Sequence, residues 1–307
     1  MCPARHQSMK NSSRIIIGVL YSILFGIFII ERVVAYKINE ITHPNHINDY
    51  LMTFENGQPI QQVHFETVDH LTLIGWYIPP QNGAVIILQH GYHANSAEML
   101  PIGRMLAQHG YGILLFDFRG HGKSEGNTVT LGLHETQDTN AAVNYLLRQP
   151  GVNRIGLIGN SMGGATGILA ASKNKNIQAI AVEGVFSELK DEVGIGIEVQ
   201  TPLPAFPFDV IFVYIAERET GYRLSDIAPV EKIGQISPRP ILIMQGGNDK
   251  RINSDSGNSL FAAAGEPKIY WYEPSAAHVA IYQAAPKDYE KHVTNFFNQY
   301  LLGATPP

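Results

Sequence analysis

Apolar and polar positions along this chain follow three different rhythms. From Ile15 to Ile30 the 16 residues IIIGVLYSILFGIFII carry no charge. In Val63–Val68 and again in Leu71–Tyr77 apolar residues alternate with polar ones at period two, with Asp69-His70 between the runs. That alternation predicts a hairpin whose strands each turn one face to a core. Beyond it the apolar runs are short, continuous and rich in β-branched residues: Ala84–Leu88, Gly112–Phe116, Arg154–Ile158, Ala179–Val182, Ile241–Met244 and Lys268–Tyr272. Runs of this kind fit strands covered on both faces. Helical stretches such as Thr136–Leu147 and Met162–Ala171 separate most of them. The pattern therefore predicts an α/β fold, a mostly parallel sheet with helices on both faces.

Two stretches break the alternation. Residues 37–60 are polar and include Pro44 and Asn48, which reads as a linker. From Ser187 to Ser237 no strand pattern appears; the stretch holds an apolar, Pro-rich patch, Pro202–Phe208, and then Val210–Ile215. An insertion of that length in a compact domain predicts a lid or binding element. The expected division is residues 1–36 as a membrane anchor or signal peptide, 37–60 as linker, 61–303 as the main domain with its insertion at about 187–237, and 304–307 as a tail.

Composition narrows the function classes. The chain has 307 residues, 45% apolar and 16% charged, enough for one large α/β domain and unlike a disordered chain or a coiled coil. The net charge of −5 gives no general attraction to nucleic acid. The single cysteine, Cys2, rules out a disulfide framework, a cysteine-ligated zinc and a thiol nucleophile in the body.

The apolar run near the N-terminus spans roughly 24 Å as a helix, a little short of a hydrocarbon core of about 30 Å. Val33–Tyr36 extend it, with Glu31 and Arg32 reaching to the interface. Arg5, Lys10 and Arg14 precede it. Three readings follow: an uncleaved signal anchor spanning the membrane through residues 15–36, a secretory peptide cut after Ala35, or a buried helix of a soluble protein. The basic N-terminus puts the rest of the chain outside the cytoplasm in the first reading, and the second makes it secreted.

The chemistry concentrates at strand ends. Gly159-Asn160-Ser161-Met162-Gly163-Gly164 follows a predicted strand and opens a predicted helix, a G-x-S-x-G pattern in strand–turn–helix context. The glycines let strand and helix approach through a sharp turn, which exposes the Ser161 hydroxyl and frees the Met162 N–H to meet a developing oxyanion. A hydroxyl needs a base to become nucleophilic. Asp249 follows the strand Ile241–Met244 and His278 lies in the loop after Lys268–Tyr272, so acid and base come after the serine in the order this arrangement requires. Glu183, just after another strand, is the alternative acid. The second oxyanion donor is expected in the loop Gln89-His90-Gly91-Tyr92, from the backbone N–H of Tyr92.

Two other patterns are weighed and set aside. Gly122-Lys123-Ser124 resembles the end of a phosphate loop, but Asp117 stands where that motif requires glycine, so Asp117–Ser124 reads as a structural turn. His43/His46 and His90/His93 have H-x-x-H spacing without a nearby carboxylate at metal-site spacing, so neither a metal nor another cofactor is expected.

From Val63 to Leu302 the chain resembles the α/β-hydrolase superfamily, through His90-Gly91, Asp117-x-Arg119-Gly120-x-Gly122-x-Ser124, Gly159-x-Ser161-x-Gly163-Gly164, Gly247-Asn248-Asp249 and His278. The flavour is similar to the branch of serine aminopeptidases, monoglyceride lipases and membrane-anchored esterases or thioesterases. The resemblance implies a mostly parallel eight-stranded sheet with a small cap after the sixth strand, where Ser187–Ser237 falls. The cap carries Phe206, Phe208, Phe212 and Tyr214, which suit a small-molecule or lipid-like ester with an apolar acyl group. A serine peptidase or aminopeptidase on the same triad is the alternative, with Glu188, Asp191, Glu192, Glu198 and Glu217 as candidate holders of an amino group, and a binding module that has lost catalysis is the remote one.

Overall fold

The structure, a computed structural model, describes residues 4–50, 52 and 60–304. Cys2 and residues 305–307 lie outside the described residues, as does much of the second half of the expected linker.

Eight strands form one sheet: β1 (Gln61–Glu66), β2 (Thr72–Ile78), β3 (Ala84–Gln89), β4 (Gly112–Phe116), β5 (Arg154–Asn160), β6 (Ala179–Glu183), β7 (Ile241–Gly246) and β8 (Lys268–Glu273). Their spatial order is β1-β2-β4-β3-β5-β6-β7-β8. β1 and β2 pair antiparallel, as the period-two pattern requires, and β2 also meets β4 antiparallel. All other neighbours are parallel. Helices α1 (Ala4–Thr42), α2 (Leu100–Gln108), α3 (Glu135–Leu146), α4 (Met162–Lys173), α5 (Leu189–Gln200), α6 (Ala205–Thr220), α7 (Pro229–Lys232), α8 (Ser256–Ala263), α9 (Ile281–Ala284) and α10 (Pro286–Leu301) complete the chain.

The continuous apolar runs of β3 to β7 are buried on both sides because helices cover both, whereas the run in β8, at the sheet edge, is only half-buried and its Tyr272 is 51% exposed. Val85 and Ile87 of β3 pack with α3 and α4, while Ala84, Ile86 and Leu88 pack with α2 and α10. A strand side chain points to alternate faces, so one run of aliphatic residues serves two cores. The catalytic-type loops all emerge at the C-terminal edge of the parallel strands, where such sheets present their sites.

The strandless insertion is helical. α5 and α6 follow β6 and form the cap. α1 runs unbroken through Thr42, into the stretch read as linker: the Thr42 hydroxyl caps back to the Ile38 carbonyl at 2.9 Å, and Pro44 cannot continue the helix. Polar residues in that last stretch are compatible with helix because Ile38 packs into a small third core with Ile215, Ala216 and Leu224. The apolar window of α1 is 0% buried, against the reading of a core helix; it is the one helix among the described residues long and apolar enough to cross a membrane.

Candidate active site

Ser161 sits between β5 and α4 with φ +50° and ψ −116°. A non-glycine residue holds that conformation only at a cost of about 1–3 kcal/mol, supplied by the packing around it. The packing is backbone on backbone. A Cβ on Gly163 would lie 2.5 Å from the Gln89 carbonyl oxygen, and one on Gly159 2.5 Å from the Gly163 oxygen. The two glycines therefore let the turn close against the end of β3. The Ser161 N–H is fixed to the Glu183 carbonyl at 2.8 Å. Met162 opens α4, so its N–H belongs to the unsatisfied first turn of that helix.

The three strand-end loops converge. His278 Nε2 lies 3.0 Å from Ser161 Oγ, and His278 Nδ1 lies 2.7 Å from Asp249 Oδ2. The Asp249 side chain is 1% exposed and that of His278 12%. Asp249 Oδ1 accepts from the backbone N–H groups of Arg251 at 2.8 Å and Ile252 at 3.2 Å. With the carboxylate held in that way, Nδ1 carries a proton and donates it, leaving Nε2 as acceptor for the serine hydroxyl. Gly184, which the sequence reading passed over, has φ +62°, and a Cβ there would stand 3.2 Å from His278 Nδ1, so glycine leaves room for the ring. Glu183 does not meet the histidine: its Oε1 accepts from the Ile281 N–H at 2.9 Å. Burial pushes the Glu183 carboxyl up to about 7.

The loop after β3 is built from His90. This ring is fully buried, and burial pushes its pKa down to about 4. Its Nε2 accepts from the Phe118 N–H at 3.1 Å, so the proton resides on Nδ1, which donates to the Gly91 carbonyl at 2.7 Å. The trans Gly91–Tyr92 peptide consequently directs the Tyr92 N–H away from that carbonyl. The loop is close to the nucleophile turn: a Cβ on Gly91 would be 3.7 Å from the Ser161 Cβ. Glu98, for which the sequence offers no pattern, ties the two together by accepting from the Gly91 N–H at 3.3 Å and from Asn160 Nδ2 at 2.9 Å.

The Asp117–Ser124 turn is a structural knot. Asp117 accepts from Ser96 N and Oγ at 2.8 and 2.7 Å, from Lys123 N at 2.8 Å, and from the Tyr50 hydroxyl. Arg119 is buried between Asp138 and Asp69. The ring nitrogens of His46 rest on the carbonyls of Gly122 and Gly126.

The cap divides the four aromatic residues read as substrate-binding. Phe208 and Phe212 line a cavity between the cap and α1, whereas Phe206 and Tyr214 are 74% and 67% exposed. Phe208 and Phe212 are one helical turn apart and share a face, Tyr214 two residues on falls on the other, and Phe206 stands at a kink with extended backbone (φ −81°, ψ 135°). Of the cap carboxylates, Glu188 pairs with Lys190, while Glu198 and Glu217 accept from the backbone N–H groups of Ala205 and Leu224. Glu192 accepts from the Asn253 N–H at 3.1 Å, and burial pushes its pKa up to about 7.

Sheet order, nucleophile turn and strand-end loops together are those of an α/β-hydrolase fold, and the likenesses to known proteins support the α/β-hydrolase superfamily. A family model described as "Serine aminopeptidase, S33" matches residues 80–204. The uncharacterised protein YfhR of Escherichia coli O157:H7 is 26% identical over 95% of each chain. The esterase PF2001 of Pyrococcus furiosus superposes with a TM-score of 0.73 at 26% identity, over 85% of this chain and 98% of that one. The thiohydrolase aneE of Aspergillus aculeatus is 32% identical over 62% of this chain and 57% of its own length.

Proposed function

We propose that this protein is a serine hydrolase that cleaves a carboxylic ester or thioester with an apolar acyl group, through Ser161, His278 and Asp249. The observation that carries the reading is the unbroken contact line from Asp249 Oδ2 through His278 to Ser161 Oγ, at 2.7 and 3.0 Å. As Oγ attacks the acyl carbon, its proton passes to His278 Nε2. Asp249 steadies the resulting imidazolium. The oxyanion forms between the N–H groups of Met162 and Tyr92, and each such donor contributes about 3–4 kcal/mol to the transition state. Collapse of the tetrahedral intermediate breaks the bond to the alkoxide or thiolate, which takes the proton from His278. Water then repeats the sequence on the acyl-enzyme and releases the acid. The scheme needs no cofactor.

An ester is favoured over a peptide by the cap. An aminopeptidase needs a charged carboxylate facing the substrate's amino group. Of the five candidates only Glu192 lines the cavity, and it is half-buried, bound to the Asn253 N–H, with its pKa pushed up to about 7 by desolvation. The esterase and thiohydrolase likenesses support the same choice. The N-terminal helix is read as a signal anchor, with the hydrolase domain outside the cytoplasm; protection of the C-terminus from protease in intact cells would overturn that topology.

The test is labelling with a fluorophosphonate, expected in the wild type and lost in Ser161→Ala. A panel of p-nitrophenyl esters set against aminoacyl anilides then reads the substrate class. Hydrolysis of anilides alone would end the ester reading.

A further inference from the structure

A cavity of about 540 Å³ lies between α1 and the cap. Ligand sites commonly enclose about 300–1,000 Å³. Ile30 and Val34 of α1, Val193 and Ile197 of α5, and Phe208 and Phe212 of α6 form its walls. The lining is mostly aliphatic and aromatic, which suits an apolar ligand, with Lys37, Thr42 and Glu192 among its few polar groups. α5 also leaves room rather than filling it: a Cβ on Gly196, which lines the cavity, would meet nothing within 4 Å.

Two hydrogen bonds join the cavity lining to the loops that carry the candidate site. Ile41, in its lining, accepts from the Tyr92 hydroxyl at 2.7 Å, and Glu192, also in its lining, holds the Asn253 N–H just beyond Asp249. Ile29, Ile30 and Val33 also line the cavity while remaining 44%, 42% and 57% exposed, continuous with the exposed apolar face from Ile16 to Phe28. The α1 wall is fastened to the cap by the Glu31–Arg218 ion pair at 2.6 Å and by Ile38 against Ile215 and Ala216.

We propose that this cavity holds the long aliphatic chain of the substrate's acyl group, with α1 as a wall of the chain site and not merely a tether. The inference rests on the ester or thioester reading above and names its substrate class: acyl groups long enough to run from the loops around Ser161 to the apolar surface of α1.

The experiment uses the full-length protein in nonionic detergent. The ratio of kcat/KM for p-nitrophenyl palmitate to that for p-nitrophenyl acetate should fall about tenfold or more in Gly196→Phe, which plugs the cavity from the cap, because each methylene denied burial is costly. Val33→Trp, from the α1 side, should lower the ratio similarly. Val199→Phe, on the 66% exposed side of α5, should leave it unchanged. Binding of the fluorescent fatty acid cis-parinaric acid is measured separately on Ser161→Ala, where catalysis plays no part; adding Gly196→Phe or the smaller Gly196→Leu should weaken it. An unchanged ester ratio in Gly196→Phe overturns the proposal, as does a ratio that responds to Gly196→Phe but not to Val33→Trp, since α1 would then form no wall. Undiminished parinaric acid binding in both Gly196 variants also overturns it. If the wild type turns over neither ester, the hydrolase reading fails, and the binding arm still decides whether the cavity takes an aliphatic chain.

Discussion

Ser161 is held in a backbone conformation that its own side chain disfavours, and the groups that hold it are carbonyls of a neighbouring strand. Gly163→Ala tests that dependence. Its methyl would press on the Gln89 carbonyl, so the turn must move; we expect a loss of about 2–4 kcal/mol in stability and roughly 10²-fold in kcat/KM, read from thermal melts and ester hydrolysis. The three residues of the proposed triad should behave as one unit. Ser161→Ala and His278→Ala are each expected to lower kcat by roughly 10⁴–10⁶, and the double variant to lower it little further. A clearly additive pair would mean that another histidine serves as base. Glu183 gives a pH dependence of known sign. Its carboxyl is pushed from 4.5 up to about 7 by burial, so between those values the folded protein binds a proton that the unfolded chain has released. Stability therefore declines as pH rises through that window and levels off above it. Glu183→Gln retains an acceptor for Ile281 N–H and should flatten that decline in urea titrations; equal slopes for both proteins would refute the assignment. At this scale the G-x-S-x-G turn and the order of Asp249 and His278 were legible, because the chemistry confines those residue types to strand ends. Glu98 and Gly184 were not, since their roles come from neighbours distant in sequence.

Among the elements, the sheet strands followed their hydrophobic runs closely, because a strand buried on both faces admits almost no polar residue. β5, β6 and β7 extend one or two residues past the apolar runs, into Asn160, Glu183 and Gly246, where the strands leave the core and the loops begin. The cap was legible as an insertion but not as two helices, since its prolines and scattered apolar residues carry no clean period. Which aromatic residues face inward depended on the rotation of α6 and on the kink at its start: Tyr214 lies on the outer face and Phe206, with extended backbone, is exposed at the kink. A tie between elements lies at Tyr92, whose hydroxyl reaches the last turn of α1. Tyr92→Phe removes that bond and should cost about 1 kcal/mol in denaturation, while Tyr92→Ala should reduce kcat far less than Ser161→Ala, because the oxyanion donor proposed here is the backbone N–H. A Tyr92→Ala variant as inactive as Ser161→Ala would show that the side chain itself enters the chemistry.

For the molecule as a whole, α1 joins the apolar N-terminal segment to the cap without a break. Ala35, the position at which a secretory leader would be cut, lies in mid-helix, packed beside Ile38 against α6. We therefore expect the mature protein to keep residues before Ala35, and the intact mass of protein purified from membranes to include them; a mass beginning at Tyr36 would refute this. The amino-acid sequence by itself determined the sheet, the nucleophile turn and the chain order of acid and base, because each depends on local periodicity or on steric demands within a few residues. The tertiary structure alone decided that α1 becomes part of the hydrolase body, which carboxylate meets His278, and where an apolar void remains between helices. Those outcomes arise from packing between segments far apart in the chain, and a linear pattern carries no record of which faces will meet.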